Sequence, residues 1–217
     1  MIDLHTHTLL SDGVLVPSEF IRRAYVAGYR ALAITDHVDP SNIENVVPAI
    51  VKTIEALNEY LQIKVLPGAE ITHVPPGLIG KMVERARKLG AKIVVVHGET
   101  LSEPVAPGTN RAGIEAGADI LSHPGLISVE NALMAKKRGV ALEITSRKGH
   151  SISNGHVAKV AKETGAALVI NTDSHAPEDL ITVERAKLVL LAAGIAEESI
   201  KQVFENSERL IEETRRN

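Results

Sequence analysis

The chain of 217 residues has no cysteine and no tryptophan, and aromatic residues make up only 2% of it. Without cysteine, neither a disulfide framework nor thiolate ligation of a metal is possible. Aromatic side chains are the platforms on which single-stranded bases stack, and here they are few: Phe20, Tyr25, Tyr29, Tyr60 and Phe204. This scarcity disfavours a protein that binds an extended single strand.

The chain also lacks an excess of either charge, since 24 Lys and Arg face 27 Asp and Glu for a net charge of -3. Global attraction to nucleic acid or to an anionic membrane is therefore not expected, and any recognition of phosphate must be local. The first residues resemble neither a signal peptide nor a membrane span, so we expect a cytoplasmic protein. With 44% hydrophobic residues, a chain of this length can bury one core, and we predict a single domain over residues 1–217.

Short β-rich runs alternate with longer stretches of helical character along the whole sequence. We predict seven strands, at residues 2–7, 31–37, 63–71, 91–99, 118–125, 140–146 and 167–175. Helices are predicted at 17–27, which begins with Pro17 and stops at Gly28, and at 177–193, which Gly194 ends. Seven units give about 31 residues each, a comfortable length for a βα repeat.

The predicted strands have Val, Ile and Leu at positions that point to either face of the sheet, which is typical of a parallel sheet covered on both faces. The fold class is therefore α/β. We favour a seven-stranded (β/α)7 variant of the TIM-like barrel, and an open doubly wound sheet is the second choice.

All seven predicted strands end in polar residues, most of which can ligate a metal. In barrels and open α/β sheets alike, the active site forms at this carboxyl edge. His5 and His7 are two positions apart on a strand, so both imidazoles point to the same side and can approach one ion. The strand-end residues are His5, His7, Asp36, His37, Glu70, His97, Glu99, His123, Glu143, Asp173 and His175.

A set of His, Asp and Glu ligands without sulfur suits zinc, manganese or iron. Because a catalytic ion takes about three protein ligands, so large a set predicts two or three divalent metal ions. His73, His150 and His156 fall outside the strand-end pattern, and we expect them to be surface residues.

At these residues the sequence resembles the polymerase and histidinol phosphatase (PHP) family across nearly its whole length. The motifs that carry the resemblance are His5-Thr-His7 with Ser11-Asp12-Gly13, Thr35-Asp36-His37, Glu70, His97, His123-Pro124-Gly125 and Asp173-Ser174-His175. The amidohydrolases also begin with HxH, but they use eight strands and a bridging lysine on the fourth. Here the predicted fourth strand carries His97 near its end, which favours the PHP family.

The resemblance implies a distorted seven-stranded barrel, a single PHP domain, with a trinuclear metal centre. Glu70 would bridge two ions. The implied ligand sets are His5, His7, Glu70 and Asp173 for one ion, Glu70, His97 and His123 for a second, and Asp12, His37 and His175 for a third. Many family members have histidine where this chain has Asp12, so occupancy of the third position is the feature most expected to vary.

The expected reaction is hydrolysis of a phosphomonoester by a metal-activated hydroxide, with a small phosphorylated substrate of the histidinol phosphate kind. We expect catalytic roles for Glu70 and Asp173, and Asp36 is one candidate for protonating the leaving group. Arg147 and, less directly, Arg111 are candidates for binding the phosphate. Glu99 and Glu143 are expected to orient histidines.

Two other functions remain open. One is a PHP-type nuclease or nucleotide phosphoesterase that acts on 5'-phosphorylated nucleotides or short nucleic acid. The other is a noncatalytic RNA-binding subunit of the kind found with ribonuclease P. Such a subunit would not need the ligand set, which is intact in this sequence.

Overall fold

The computed structural model describes residues 1–214. Its strands are Ile2–Asp3 (β1), Ala31–Ile34 (β2), His37–Val38 (β3), Lys64–Ile71 (β4), Ile93–His97 (β5), Ile120–Ser122 (β6), Ala141–Thr145 (β7) and Leu168–Asn171 (β8). Its α-helices are Pro17–Val26 (α1), Ile43–Leu57 (α2), Pro76–Lys88 (α3), Thr109–Glu115 (α4), Val129–Arg138 (α5), Asn154–Thr164 (α6), Val183–Ala192 (α7) and Glu197–Glu213 (α8). Among these described helices, none has the length and apolar character needed to cross a membrane.

The strands form one parallel sheet in the order β1-β2-β4-β5-β6-β7-β8, and β3 also pairs with β4. Because β2 and β3 lie one after the other beside β4, the sheet has seven positions. A parallel bridge between Thr6 and Ser174 joins the first position to the last. The result is a nearly closed seven-stranded barrel, which confirms the predicted fold class.

The strands at the closing seam are shorter than predicted, because side chains replace the backbone ladder there. β1 ends at Asp3 rather than His7: the Leu4 N–H donates to Asn171 Oδ1 at 2.9 Å and the His5 N–H to Asp3 Oδ1 at 3.3 Å. β8 likewise ends at Asn171 rather than His175. Beyond this interruption the backbone pairs again, since the Asp173 N–H donates to the His5 carbonyl oxygen at 3.0 Å and the His7 N–H to the Ser174 carbonyl oxygen at 2.8 Å.

The apolar core has two layers. One fills the barrel, and the other lies between the strands and the surrounding helices. Near the C-terminal end of α8, Leu210 and Ile211 join the inner layer, so this helix closes the end of the barrel opposite the site. The inner layer consists of Ile2, Leu4, Ala31, Ala33, Leu66, Ile93, Val95, Ile120, Ala141, Val169, Leu210 and Ile211.

The prediction of α1 is confirmed, but the single helix predicted over 177–193 is wrong. A 3-10 turn at Pro177–Asp179 comes first, and α7 begins only at Val183. Between them, the backbone N–H of Ile181 donates to the Tyr29 hydroxyl at 3.0 Å, which holds this segment out of a helix. Thr182 then caps α7 by accepting the Arg185 N–H at 3.2 Å.

Gly125 provides a test of how tightly the loops at the site pack. It has φ +57°, and a Cβ there would lie 1.9 Å from the Glu99 carbonyl oxygen. We expect Gly125→Ala to lower the free energy of unfolding in urea by about 2 kcal/mol or more, from backbone strain and the clash together.

The matched control is Gly80→Ala inside α3, where a Cβ meets no atom within 4 Å. Because alanine is the better helix former, we expect this variant to be more stable than the wild type by about 1 kcal/mol. Equal urea midpoints for the two variants would contradict the packing described here.

Candidate metal centre

The carboxyl ends of the strands converge on one pocket of about 200 Å³. Its walls are almost entirely polar, and no aliphatic or aromatic side chain of the core reaches them. Beneath it lie the buried side chains of His5, His7, Glu70 and His123. The pocket is lined by Asp12, His37, Thr72, His97, Glu103, Arg147, His150, Asp173 and His175.

The first group of donor atoms lies at the seam of the barrel. His5 Nε2 lies 3.1 Å from Glu70 Oε1, and His7 Nε2 lies 3.1 Å from Asp173 Oδ1. The two imidazole centroids are 5.0 Å apart. One donor atom from each of His5, His7 and Glu70 lies within 4.8 Å of the others, which is close enough for one ion to bind all three.

A second group shares Glu70 with the first and adds His97 and His123, again with donor atoms within 4.8 Å of one another. The Ser122 hydroxyl donates to Glu70 Oε1 at 2.7 Å and fixes this carboxylate between the two groups. Glu70 is therefore placed to bridge two cations.

The third group lies nearest to solvent and comprises His7, Asp12, His37 and His175. Asp12 Oδ1 lies 3.2 Å from His175 Nε2 and 3.6 Å from His37 Nε2, and the Asp12 side chain is 57% exposed. Partial burial alone would raise the pKa of Asp12, but His175 and His37 lower this pKa to about 2. The carboxylate is therefore ionised at neutral pH. The structure thus brings together all nine predicted ligands.

Buried polar atoms in these groups fit bound cations. Two of them, His7 Nδ1 and His123 Nδ1, have neither a hydrogen bond nor an ion-pair partner. Four others lack a well-directed hydrogen bond and lie 2.8–3.1 Å from a group of opposite charge: His5 Nε2, His7 Nε2, Glu70 Oε2 and Asp173 Oδ1. A buried polar atom without a partner costs about 1–3 kcal/mol, so a fold rarely gathers several at one point. Imidazole nitrogens and carboxylate oxygens are suitable ligands for zinc, manganese or iron.

Metal ligation needs neutral imidazoles and ionised carboxylates, and His7, His123 and Glu70 are already in these states. Burial lowers the pKa of His7 to about 4 and that of His123 well below its usual range. Burial alone would raise the pKa of Glu70, but His5 and His37 hold it well below its usual range. Burial alone would lower the pKa of His5, but Glu70, Glu143 and Asp173 raise it well above its usual range. The proton on His5 therefore supplies positive charge that a metal ion would replace.

Glu143 orients two of the histidines, as the sequence predicts. Its Oε1 accepts hydrogen bonds from His5 Nδ1 at 2.8 Å and Asn171 Nδ2 at 2.9 Å, and its Oε2 accepts the His123 N–H at 3.1 Å. Because Glu143 occupies Nδ1 of His5, the opposite nitrogen faces the cluster.

Two other carboxylates have structural roles rather than the predicted ones. Asp36 accepts hydrogen bonds from Thr8 N, Thr8 Oγ1 and Ser11 Oγ at 2.7–2.8 Å, so it anchors the loop that carries Asp12 and does not face the pocket. Glu99 Oε1 accepts the N–H groups of Gly108 and Asn110 and fixes the start of α4 instead of a histidine.

The two arginines proposed for phosphate binding are placed differently. Arg147 lines the pocket, and its Nη1 lies 3.0 Å from Asp179 Oδ2. Arg111 lies on α4, is largely exposed and pairs with Glu115 and Glu130 on the outer helices. Because both carboxylates hold it away from the pocket, its placement gives no support to a role in substrate binding.

Sequence reasoning missed Glu103 and placed His150 wrongly at the surface. His150 is buried, its Nδ1 lies 2.7 Å from Thr100 Oγ1, and its ring stacks on His123 at 4.2 Å. Both residues lie in loops after strands, where no periodic pattern fixes a side chain. The only feature of the sequence that points to them is their location after a strand, because the loops that follow the strands form the active-site face of a barrel. His73 is exposed as expected, whereas His156 is half-buried and its Nε2 bonds the Ile127 carbonyl oxygen.

Comparison with known proteins agrees with this geometry. The model of the PHP domain family matches residues 3–193. The chain therefore belongs to the PHP family, which confirms the resemblance in the sequence.

Two curated relatives span nearly the whole chain. An uncharacterized protein of Methanocaldococcus jannaschii is 50% identical over 204 residues, which cover 93% of this chain and 94% of that one. A protein of Thermoanaerobacter sp. strain X514, named a probable phosphatase, is 28% identical over an alignment that covers 92% of this chain and 89% of its own.

Two solved structures share the fold. One chain in an archaeal ribonuclease P with mature tRNA has a TM-score of 0.74 at 19% identity, covering 99% of this chain and 91% of its own. The histidinol phosphate phosphatase of Lactococcus lactis, solved with zinc, L-histidinol and phosphate, has a TM-score of 0.60 at 16% identity and covers 90% of this chain and 94% of its own.

The hydrogen bonds of Glu143 predict a measurable effect on metal affinity. Glu143→Gln keeps the size of the side chain, but it removes the charge that faces His5 Nδ1. Loss of such a partner typically weakens metal binding about 10–100-fold, which is the effect we expect for zinc in a chelator competition assay. Glu130→Gln on α5 is the control, and zinc affinity equal in both variants would contradict the role assigned to Glu143.

Proposed function

We propose that this protein is a metal-dependent phosphoesterase that hydrolyses phosphomonoesters. The observation that carries the proposal is the cluster of buried imidazole and carboxylate ligand atoms around Glu70 and Asp173, several of them without a well-directed hydrogen bond, which opens on one side into a polar pocket. Two or three divalent ions bound there would lower the pKa of a water molecule and offset charge on the phosphate and the leaving oxygen.

The protein's own groups hold and orient the reactants. Arg147 offers guanidinium donors from the pocket wall to phosphate oxygens, a geometry in which arginine is a better partner than lysine. Asp179 Oδ2 accepts both Arg147 Nη1 and the His175 N–H at 2.9 Å, so one carboxylate positions the phosphate-binding residue relative to the third ligand group. Asp36 accepts three hydrogen bonds from the loop, so we assign it to positioning that loop and not to proton transfer.

The size and polarity of the pocket favour a small substrate of the histidinol phosphate kind. A volume of about 200 Å³ admits the phosphate and a few further atoms, and the leaving group extends towards the open side. The fold shared with a histidinol phosphate phosphatase and the relatives named probable phosphatases support this choice.

A phosphoesterase for 5'-phosphorylated nucleotides or short nucleic acid is the second candidate, favoured by the same open side of the pocket, which admits a chain end. A noncatalytic RNA-binding role is less well supported. It would give no reason for several buried ligand atoms that lack hydrogen-bond partners.

The first experiment measures phosphate release by protein reconstituted with manganese or zinc. The substrates are L-histidinol phosphate, mononucleotides and a 5'-phosphorylated oligonucleotide. We expect the highest kcat/KM with L-histidinol phosphate. A higher value with either nucleotide substrate would favour the second candidate, and no release from any substrate would contradict the phosphoesterase proposal.

Loss of a ligand tests the role of the cluster. We expect His7→Ala and Asp173→Asn each to lower phosphate release about 1,000-fold or more, because the ions contribute several kcal/mol of transition-state stabilisation. Circular dichroism should show that both variants remain folded. Wild-type turnover by either folded variant would show that the cluster is not the active site.

The two arginines form a matched pair for testing phosphate binding. We expect Arg147→Met to lower kcat/KM about 10-fold or more, since a hydrogen bond to a charged group contributes about 1.5–3 kcal/mol. Arg111→Met should leave kcat/KM unchanged, because Arg111 pairs with outer-helix carboxylates. Equal losses in the two variants would contradict the assignment of Arg147.

A further inference from the structure

Backbone strain marks a residue that the proposed metal centre does not include. Among residues 1–214, three non-glycine residues have positive φ: His73 at 52°, His123 at 25° and Asp173 at 53°. His123 and Asp173 belong to the donor groups described above. Such conformations cost about 1–3 kcal/mol and persist mainly at functional sites. His73, which follows β4 by two residues, therefore calls for a function of its own.

The His73 side chain faces a carboxylate that also meets the metal centre. His73 Nε2 lies 2.9 Å from Glu103 Oε2, and His97 Nε2 lies 3.2 Å from the same oxygen. One donor atom from each of the three residues lies within 4.8 Å of the others. Ligand atoms that share a zinc ion are separated by about 3 Å when each bond is about 2.0–2.1 Å. We call His73, His97 and Glu103 the outer group.

His97 belongs to both the outer group and the inner group of Glu70, His97 and His123. Its Nδ1 lies 3.2 Å from the Gly98 carbonyl oxygen, so Nε2 is the nitrogen available for a cation in either group. Because one nitrogen lone pair binds one ion at a time, the two groups are alternative positions for a cation on His97.

Exposure distinguishes the two positions. The side chains of Glu70 and His123 are at most 1% exposed. Those of His73 and Glu103 are 39% and 38% exposed. A divalent cation that approaches from the side of His97 therefore meets Glu103 and His73 before it can reach the buried carboxylate of Glu70.

We propose that the outer group is an entry site, which captures a divalent cation at the mouth of the pocket and passes it through His97 to the inner group. Glu103 supplies the negative charge that attracts the ion, and His73 is held by its backbone in position to complete the site. The inference rests on the proposed metal centre, because it assigns the route by which that centre fills.

The test is the rate of zinc uptake by metal-free protein, followed by stopped flow with a chromogenic zinc indicator. We expect His73→Gln and Glu103→Gln each to slow uptake about 10-fold, the scale on which local charge and preformed donors alter association. The final zinc content, measured by elemental analysis, should equal that of the wild type. Glu130→Gln removes the same charge from α5 and should take up zinc at the wild-type rate.

Three outcomes would overturn the proposal. Uptake rates in both variants within about twofold of the wild type would show that the outer group does not guide the ion. A final zinc content lower by one ion would make the outer group a permanent site instead of an entry site. Wild-type protein that binds no zinc would overturn the metal centre itself, a failure that the first two outcomes do not produce.

Discussion

The burial of Glu70 and Asp173 is the constraint on which the rest of the site depends. Moving a carboxylate out of water costs several kcal/mol unless opposite charge lies beside it. Here that charge must come from the surrounding imidazoles or from cations, and His5 and His37 lie 3.1 Å and 2.8 Å from the two oxygens of Glu70. The fold keeps Glu70 ionised by holding His5 and His37 beside it, and a divalent cation would replace the positive charge that these imidazoles supply.

The same constraint accounts for the irregular strand ends. A regular ladder would continue past Asp3 and Asn171, but there the side chains of these two residues accept the backbone N–H groups of His5 and Leu4. Asp36 in the same way fixes the loop before Asp12. Polar side chains thus interrupt the backbone pairing at residues 3–5 and 171–172, and backbone hydrogen bonds resume at His5, His7 and Asp173.

The parts of the site that sequence could predict lie at strand ends, as Glu70 does, or within two residues beyond them, as His5 and Asp173 do. The seven-position barrel follows from the alternation of strands and helices. Glu103 and His150 could not be predicted, because the contact that holds His150 joins it to Thr100 in another loop. The placement of Asp36 and Arg111 away from the pocket has a related reason, since each has partners that no pattern within its own segment reveals.

The metal centre can form only when the barrel closes. The seam joins residues far apart in sequence, as Asp3 and Thr172 show with a separation of 169 positions. The first donor group likewise combines His5 and His7 with Asp173, so no stretch of chain short of that span can assemble it. Bringing together residues so far apart in sequence carries a loop-closure entropy cost. Metal affinity is therefore a property of the closed barrel, and the free energy of metal binding is linked to the stability of the whole fold.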